Sequence, residues 1–466
     1  MVLVRLIVPF LFIFLAGCTS QSTSYRRPDL PMGPTWVASV LADTDQLSAD
    51  QWWIAFGDPG LTTLIREVVA RNNDIFAATL RARRAHLQAD LAENALFPKL
   101  SGTLNSSRTR PLEGNTSSTL SSSSSASIGL SYDVDLWGKL AAQRDSASFE
   151  AEATAEDYEA ARLAIIGMTI ETYFRIAHAN ESIASAENSL DYVQQIQDLI
   201  RKQAEIGDVS DLEFRESEQA VETQAARLYQ LQQARLVLRN VLTVLLNGAP
   251  NPVSEPHRLP RRKLPAIAAG LPADLLARRP DLRAAEAQLQ GTLKGVDATR
   301  TSFYPGISLT GGLGTSSDQL ISFISNPVAT LGGGAVLSFL NLKDMDLAVA
   351  VSQTQYEEAV AAFRTTLLNA FADVANALAA RANYAGQSRR LYNAYKAAQD
   401  VEKLTETRYR AGATTLRIWL DAQERRRSAE VALADVRLAQ YVNASNLYRA
   451  LGGSTSIADE GAAAAP

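Results

Sequence analysis

The sequence predicts a mainly α-helical fold with a small β part, internally duplicated, in which long coiled-coil helices carry two strands per half. Three observations predict it. Asp74 lies 24 residues before Pro98 and Asp281 lies 24 before Pro305, so "LFPKLSG" falls on "FYPGISL" at an offset of 207. Apolar residues recur every seven positions at Leu61, Val68 and Ile75, at Leu275, Leu282, Leu289, Val296 and Phe303, and at Leu231, Leu238 and Leu245, the period of coiled-coil packing. In "ASIGLSYDVDLW" the residues Ile128, Leu130, Tyr132, Val134 and Leu136 share one face, while Ser127, Gly129, Ser131, Asp133 and Asp135 share the other, the period of a strand.

At the N-terminus, Arg5 precedes an apolar run from Leu6 to Leu15. That run is too short to span a bilayer as a helix and suits a signal peptide over residues 1–17. Leu15-Ala16-Gly17-Cys18 follows, and Cys18 is the only cysteine, so no intrachain disulfide forms. The tetrapeptide resembles the bacterial lipobox, which implies cleavage before Cys18 and covalent lipid on it. Thr19 rather than aspartate follows, which by the same resemblance implies transport to the outer membrane. Residues 18–60 form a lipid-anchored segment beside the repeats.

The first repeat spans 61–248 and the second 272–453, with 249–271 as linker and 454–466 as tail. The offset of 207 also relates Leu130-Ser131-Tyr132 to Leu337-Ser338-Phe339, and an offset of 205 relates Gly207 to Gly412 and Gly248 to Gly453. Each half reads helix, strand, loop, strand, long helix, turn, helix. A first helix over 61–97 ends at Pro98, because a proline pushes the residue before it toward extended geometry; Pro305 acts likewise in the second half. Strands follow at about 99–110 and 126–137, then at 306–315 and 333–341. Between them "PLEGNTSSTLSSSSSA" reads as a solvent loop, as does "SSDQLISFISNPVATLGG". The long helices run from about Gly138 to Glu205 and from about Lys343 to Arg410, each roughly 100 Å at 1.5 Å per residue. A partner built from the helices 61–97 and 208–246, stacked end to end, matches that length.

Four strands do not close a barrel, and three copies give twelve, an even number suited to an outer-membrane barrel. Apolar residues then face lipid, and Asp133 and Asp135 face the aqueous lumen. Phe97, Tyr132, Trp137 and Tyr304 sit at strand ends, where an aromatic girdle belongs. The helix turns into a strand because the chain passes from water into lipid.

Several stretches now point one way: the lipobox, "QWWIAFGDPGLTTLI" from Gln51, "SYDVDLWGKL" from Ser131, "LPADLLARRPDLRAAEAQL" from Leu271 and "RYRAGATTLRIWLDAQ" from Arg408. Across nearly the whole mature chain the sequence resembles the TolC-like outer-membrane efflux factors, in the lipoprotein branch serving resistance-nodulation-division pumps. The resemblance implies a homotrimer: a trimeric 12-stranded outer-membrane β-barrel on a long coiled-coil helical tunnel. That tunnel closes at its far end, where a periplasmic adaptor protein and an inner-membrane RND transporter dock. It implies a passive conduit of a tripartite drug or solute efflux system. One departure is "FLNLKDMDLA", which stands where the family has a glycine-rich turn ending in arginine. Two alternatives stay open: a periplasmic coiled-coil lipoprotein without a pore, and the outer channel of a type I secretion system.

By the resemblance, Asp421 rings the tunnel's narrowest point, where three carboxylates about a three-fold axis favour cations. Arg417 stands one turn earlier and is placed to pair with it at i, i+4. Glu216, the repeat mate of Asp421, and Asp211 add acid nearby. Gly207 and Gly412 suit left-handed helix ends, and with Asp208 and Ala413 they mark the tips where the resemblance places adaptor docking.

A net charge of −5 gives no sign of a nucleic-acid partner. His86, His178 and His257 lack ligand spacing, the methionines do not cluster, and neither "GGLGTSS" nor "LGGGA" ends as a phosphate loop does. No metal, no enzyme and no cofactor beyond the lipid on Cys18 are expected.

Overall fold

The computed structural model describes residues 22–28, 51–109, 121–207, 209–262, 264, 278–317 and 327–453. Cys18, Asp208, Leu275 and the tail lie outside them. Helix α1 spans Pro59–Arg71 and α2 Asn73–Asn94; strands β1 and β2 span Lys99–Thr109 and Ser121–Val134; α3 spans Lys139–Glu205 and α4 Asp211–Leu245. The second half repeats this order with α5 at Pro280–Ser302, β3 at Gly306–Ser317, β4 at Pro327–Val336, α6 at Leu342–Arg410 and α7 at Leu416–Ala450. The long helices have 67 and 69 residues, and the two that follow them have 35 each.

The chain divides into two compact units. The first holds residues 1–30, 80–156 and 284–366, and the second holds 31–79, 157–283 and 367–466.

In the first unit the four strands form one antiparallel sheet in the order β1-β2-β3-β4. Leu100 pairs with Leu130, Ile128 with Leu313, and Gly311 with Leu331, so these side chains share a face. That face is open: Leu104 is 83% and Leu331 94% exposed. The opposite face carries Ser101, Thr103, Ser127, Ser131, Asp133, Ser308 and Thr310, with Val328 and Val336 added on edge strand β4. Below the sheet, Trp137 donates from Nε1 to the Pro305 carbonyl at 2.9 Å and meets Tyr304 edge-on at 5.5 Å. Ser146 of α3 donates to the Gly291 carbonyl of α5 at 2.9 Å, and a Cβ on Gly291 would lie 3.2 Å from that of Phe149. Glycine lets these two helices approach closely.

The second unit is built on the segment that starts at Gln51. Trp52 stacks on Tyr448 at 4.8 Å, and Phe56 packs against Phe174, which lies 4.6 Å from Tyr441. Trp53, Leu61, Leu64, Ile65 and Val68 are fully buried. The linker is tied down by Glu255, which accepts both Nε and Nη2 of Arg239 at 2.6 and 2.8 Å, and by Glu181, which accepts the Leu259 amide.

Four expectations need correction. The single helix over 61–97 breaks at Asn72, whose backbone is extended and whose side chain accepts the amides of Asp74 and Ile75 while donating to the Leu245 carbonyl. An asparagine that satisfies the first amides of a new helix offers the chain an alternative to continuing the old one. The helix expected at 208–246 starts only at Asp211, because Ser210 and Glu213 form a capping box. Strand β2 begins at Ser121, not 126: the serine run Ser121–Ser125 pairs with Thr109–Asn105, since the backbone ladder does not need apolar side chains. Strand β4 runs Pro327–Val336, not 333–341, and the chain then makes a short 3₁₀ turn over Ser338–Leu340 before α6. Pro327 fits as a first strand residue, where its missing N–H costs no ladder bond.

Candidate functional site

The second unit carries two helical hairpins with matched tips. Helix α6 ends in a Schellman motif: the Gly412 amide donates to the Tyr409 carbonyl and the Ala413 amide to the Arg408 carbonyl, both at 2.8 Å. Gly412 has φ +70°, and a Cβ there would meet nothing within 4 Å. Gly207 also ends α3 with a left-handed residue, at φ +78° and with its amide on the Ala204 carbonyl at 3.0 Å. At both tips glycine is required by backbone conformation rather than by space.

An apolar knot fixes these tips. Ile196, Ile200, Leu416 and Trp419 are buried together, with Tyr192, Val209, Phe214, Tyr409 and Leu420 packed around them. Tyr192 meets Trp419 edge-on at 6.2 Å. Sequence reasoning passed over Trp419, although Tyr409 and Trp419 flanking Gly412 at ten residues' spacing were a visible signal.

A groove of about 1250 Å³ opens above the knot, lined from α3, α4, α6, α7 and the linker. Glu216, Arg417 and Asp421 all line it. Asp421 and Arg417 are exposed, but no ion pair joins them among the described residues, so the expected i, i+4 pairing is not made. The ion pairs that do form lie further along α7. Arg426 holds Glu402 of α6 at 2.5 Å and Glu430 at 2.9 Å. Burial pushes the Glu402 carboxyl above the usual carboxylate range, even against Arg426. Arg427 contacts Glu424, and burial, reinforced by Arg227, pushes its guanidinium down to about 10. Asp211 lies outside the groove lining, 3.7 Å from Arg215. The groove is therefore a mixed-charge surface over an aromatic knot rather than a purely acidic one.

Of the two aspartates expected on the polar strand face, Asp133 is there, opposite Ser308. Asp135 is not: it follows the strand, and its two carboxylate oxygens accept the amides of Leu140 and Ala141 at 3.1 and 2.8 Å. A helix start has unpaired N–H groups and favours negative charge, so Asp135 caps α3. Among the described residues no helix is long and apolar enough to cross a membrane, and no group of three or more His, Cys, Asp or Glu is placed to hold a metal.

An open sheet, leucine-rich on one face and mostly small and polar on the other, joined to helices of nearly seventy residues, defines the class of helical-tunnel outer-membrane channels. The chain belongs to the outer membrane efflux protein family, whose model matches residues 64–248 and 271–453. It is 31% identical over 457 residues to the pyoverdine export outer membrane protein OpmQ of Pseudomonas putida, covering 95% of this chain and 96% of that one. Its fold is similar to the Neisseria gonorrhoeae MtrE outer membrane channel in its open state, at TM-score 0.82 and 27% identity over 93% of this chain and 98% of that one. It is also similar to the Campylobacter jejuni CmeC outer membrane channel, at TM-score 0.87 and 23% identity over 93% and 95%.

Proposed function

We propose that the chain is the passive outer conduit of a tripartite efflux system, working as a homotrimer with a periplasmic adaptor and an inner-membrane RND transporter. The observation that carries this reading is the sheet. One copy supplies four strands whose outer edges, on β1 and β4, have no partner among the described residues. A bilayer does not tolerate open sheet edges, and three copies supply a closable twelve strands. In that barrel the leucine face meets lipid, and the face bearing Asp133 lines the lumen. A coiled-coil scaffold without a pore has no use for such a sheet.

The aperture lies at the tips, with Asp421 ringing it and Glu216 and Arg417 in the groove behind. The turns at Gly207–Asp208 and Gly412–Ala413 are the surfaces an adaptor meets. Cys18, after removal of residues 1–17, carries the lipid anchor, and the lipobox supports this. No cofactor takes part, and the transported solute is whatever the pump delivers.

Purified protein in planar bilayers tests the conduit: discrete conductance steps are expected, and their absence from correctly folded protein would sink the reading. Labelling with a palmitate analogue tests the anchor, since Cys18→Ser should abolish incorporation.

A further inference from the structure

One wall of the groove gathers buried polar groups from α4 and α7 that lack partners. Gln224 of α4 is 6% exposed, and Gln423 and Arg427 of α7 are 8% exposed each. All three line the groove. Nε2 of Gln423 (which lies beside Tyr192), Nε of Arg427 and Oε1 of Gln224 are shut from solvent and have no hydrogen-bond partner among the described residues. Buried polar atoms are normally bonded, so three on one wall point to a ligand that bonds them.

Charge decides which kind. Helices α4 and α7 each begin four residues after their tip glycine. At 1.5 Å per residue, Gln224 and Arg227 lie about 20 and 24 Å along α4, and Gln423 and Arg427 about 11 and 17 Å along α7. Side chains lean toward a helix's N-terminus, which in both helices is the tip. Arg227 therefore leans down to the level of Gln224 and Arg427, and its charge acts on the Arg427 guanidinium. Arg227 holds no ion pair among the described residues, and the carboxylate on Arg427, Glu424, is half exposed. Arg426 is taken up by Glu402 and Glu430, and Arg425 is exposed. Two guanidiniums thus share one solvated carboxylate. Water satisfies the orphaned atoms but leaves the like charges uncompensated, whereas an anion does both. The donors suit it, since Arg427 Nε and Gln423 Nε2 carry hydrogens and a half-turn of the Gln224 carboxamide presents another N–H. Only one half of the duplication has this set. At the offset of 205 the mates of Gln423 and Arg427 are Glu218 and Glu222, which repel an anion.

We propose that the groove binds a small monovalent inorganic anion, chloride, one per chain, held by Arg427 and Gln423 of α7 and by Gln224 and Arg227 of α4. The ion bridges the two helices that rise from the two tips and so ties one hairpin to the other. The inference needs only the fold of the second unit and does not depend on the conduit reading.

The test uses full-length protein in detergent, with sodium chloride exchanged for the much larger sodium gluconate at constant ionic strength. Amide exchange is read over residues 219–228 and 420–430. A ligand that binds only the closed form slows exchange by local opening in proportion to its occupancy, about elevenfold at ten times its dissociation constant. Chloride should give that saturating protection and gluconate should not. Arg427→Met should abolish the chloride response, Arg227→Gln should move its midpoint to higher chloride, and Arg425→Gln, an exposed neighbour, should leave it unchanged. Bromide soaked into crystals should give an anomalous peak between Arg427 and Gln423. Equal exchange in the two salts overturns the proposal, as does a response that Arg227→Gln leaves in place. A bromide peak without any change in exchange marks an adventitious ion only and overturns it as well.

Discussion

Tyr409, in the last turn of α6, and Trp419, in the first turns of α7, stack with ring centroids 5.1 Å apart and planes 27° from parallel. The contact spans the Gly412 turn, so it staples the two arms of one tip. Trp419 is buried while Arg417 and Asp421 on either side of it are exposed. The side chain that holds the tip and the charged ones that face outward thus alternate along one helix turn.

Trp419→Ala should remove the centre of the apolar knot. Truncating a buried Trp costs about 3–5 kcal/mol. The loss should appear as faster amide exchange in residues 192–200 and 409–420 and as a larger, noisier single-channel conductance. Unchanged exchange at the tip would show that the knot does not hold it.

The tip glycines and the glycine after α7 should respond differently to alanine. Gly412→Ala meets no neighbour, so it carries only the left-handed backbone cost of about 1–2 kcal/mol. Gly452 has φ +73°, and a Cβ there would sit 2.6 Å from the Arg278 carbonyl carbon and oxygen. Gly452→Ala therefore adds a backbone clash and should lower the unfolding midpoint clearly more than Gly412→Ala.

Glu255 gives the linker a pH dependence of known sign. Hydrogen bonds from Arg239 hold its carboxyl below the usual carboxylate range. A carboxylate with a depressed folded pKa stabilises the fold above its unfolded pKa and loses that stability as pH falls through the folded value. Linker protection from proteolysis should hold at neutral pH and fall below about pH 4, near the unperturbed carboxylate range. Glu255→Gln should show the weaker protection at every pH.

Because Arg417 and Asp421 are not paired, their substitutions should act independently. Asp421→Ala should lower cation preference and Arg417→Ala should raise it. The double variant should match the sum, as unpaired sites do. Reversal potentials in a salt gradient measure this; a double variant well short of the sum would mean that the two side chains pair in the assembled channel.

Asp133 and Asp135, two residues apart, should part in phenotype. Asp133→Asn removes charge from the polar strand face and should shift ion selectivity. Asp135→Ala removes the cap of α3, at about 1 kcal/mol, and should lower stability with selectivity unchanged.

What the sequence by itself determined is everything carried by period and by local conformation. The duplication is visible as a match of one half to the other, and the seven-residue stripes, the alternation from Ile128 to Val134 and the glycine helix ends are visible because each follows from neighbours close in the chain. The turns at Gly207 and Gly412 needed only a left-handed residue after a long helical run. Tertiary structure decided whatever depends on which groups compete for one partner. Asp135 continues the strand's alternation, yet the open amides of Leu140 and Ala141 attract its charge more strongly than the polar face does. Ser121–Ser125 has the composition of a loop, but the free edge of β1 offers it a ladder. Asn72 sits within a helical pattern, and the Leu245 carbonyl together with the amides of Asp74 and Ile75 turns it into a break.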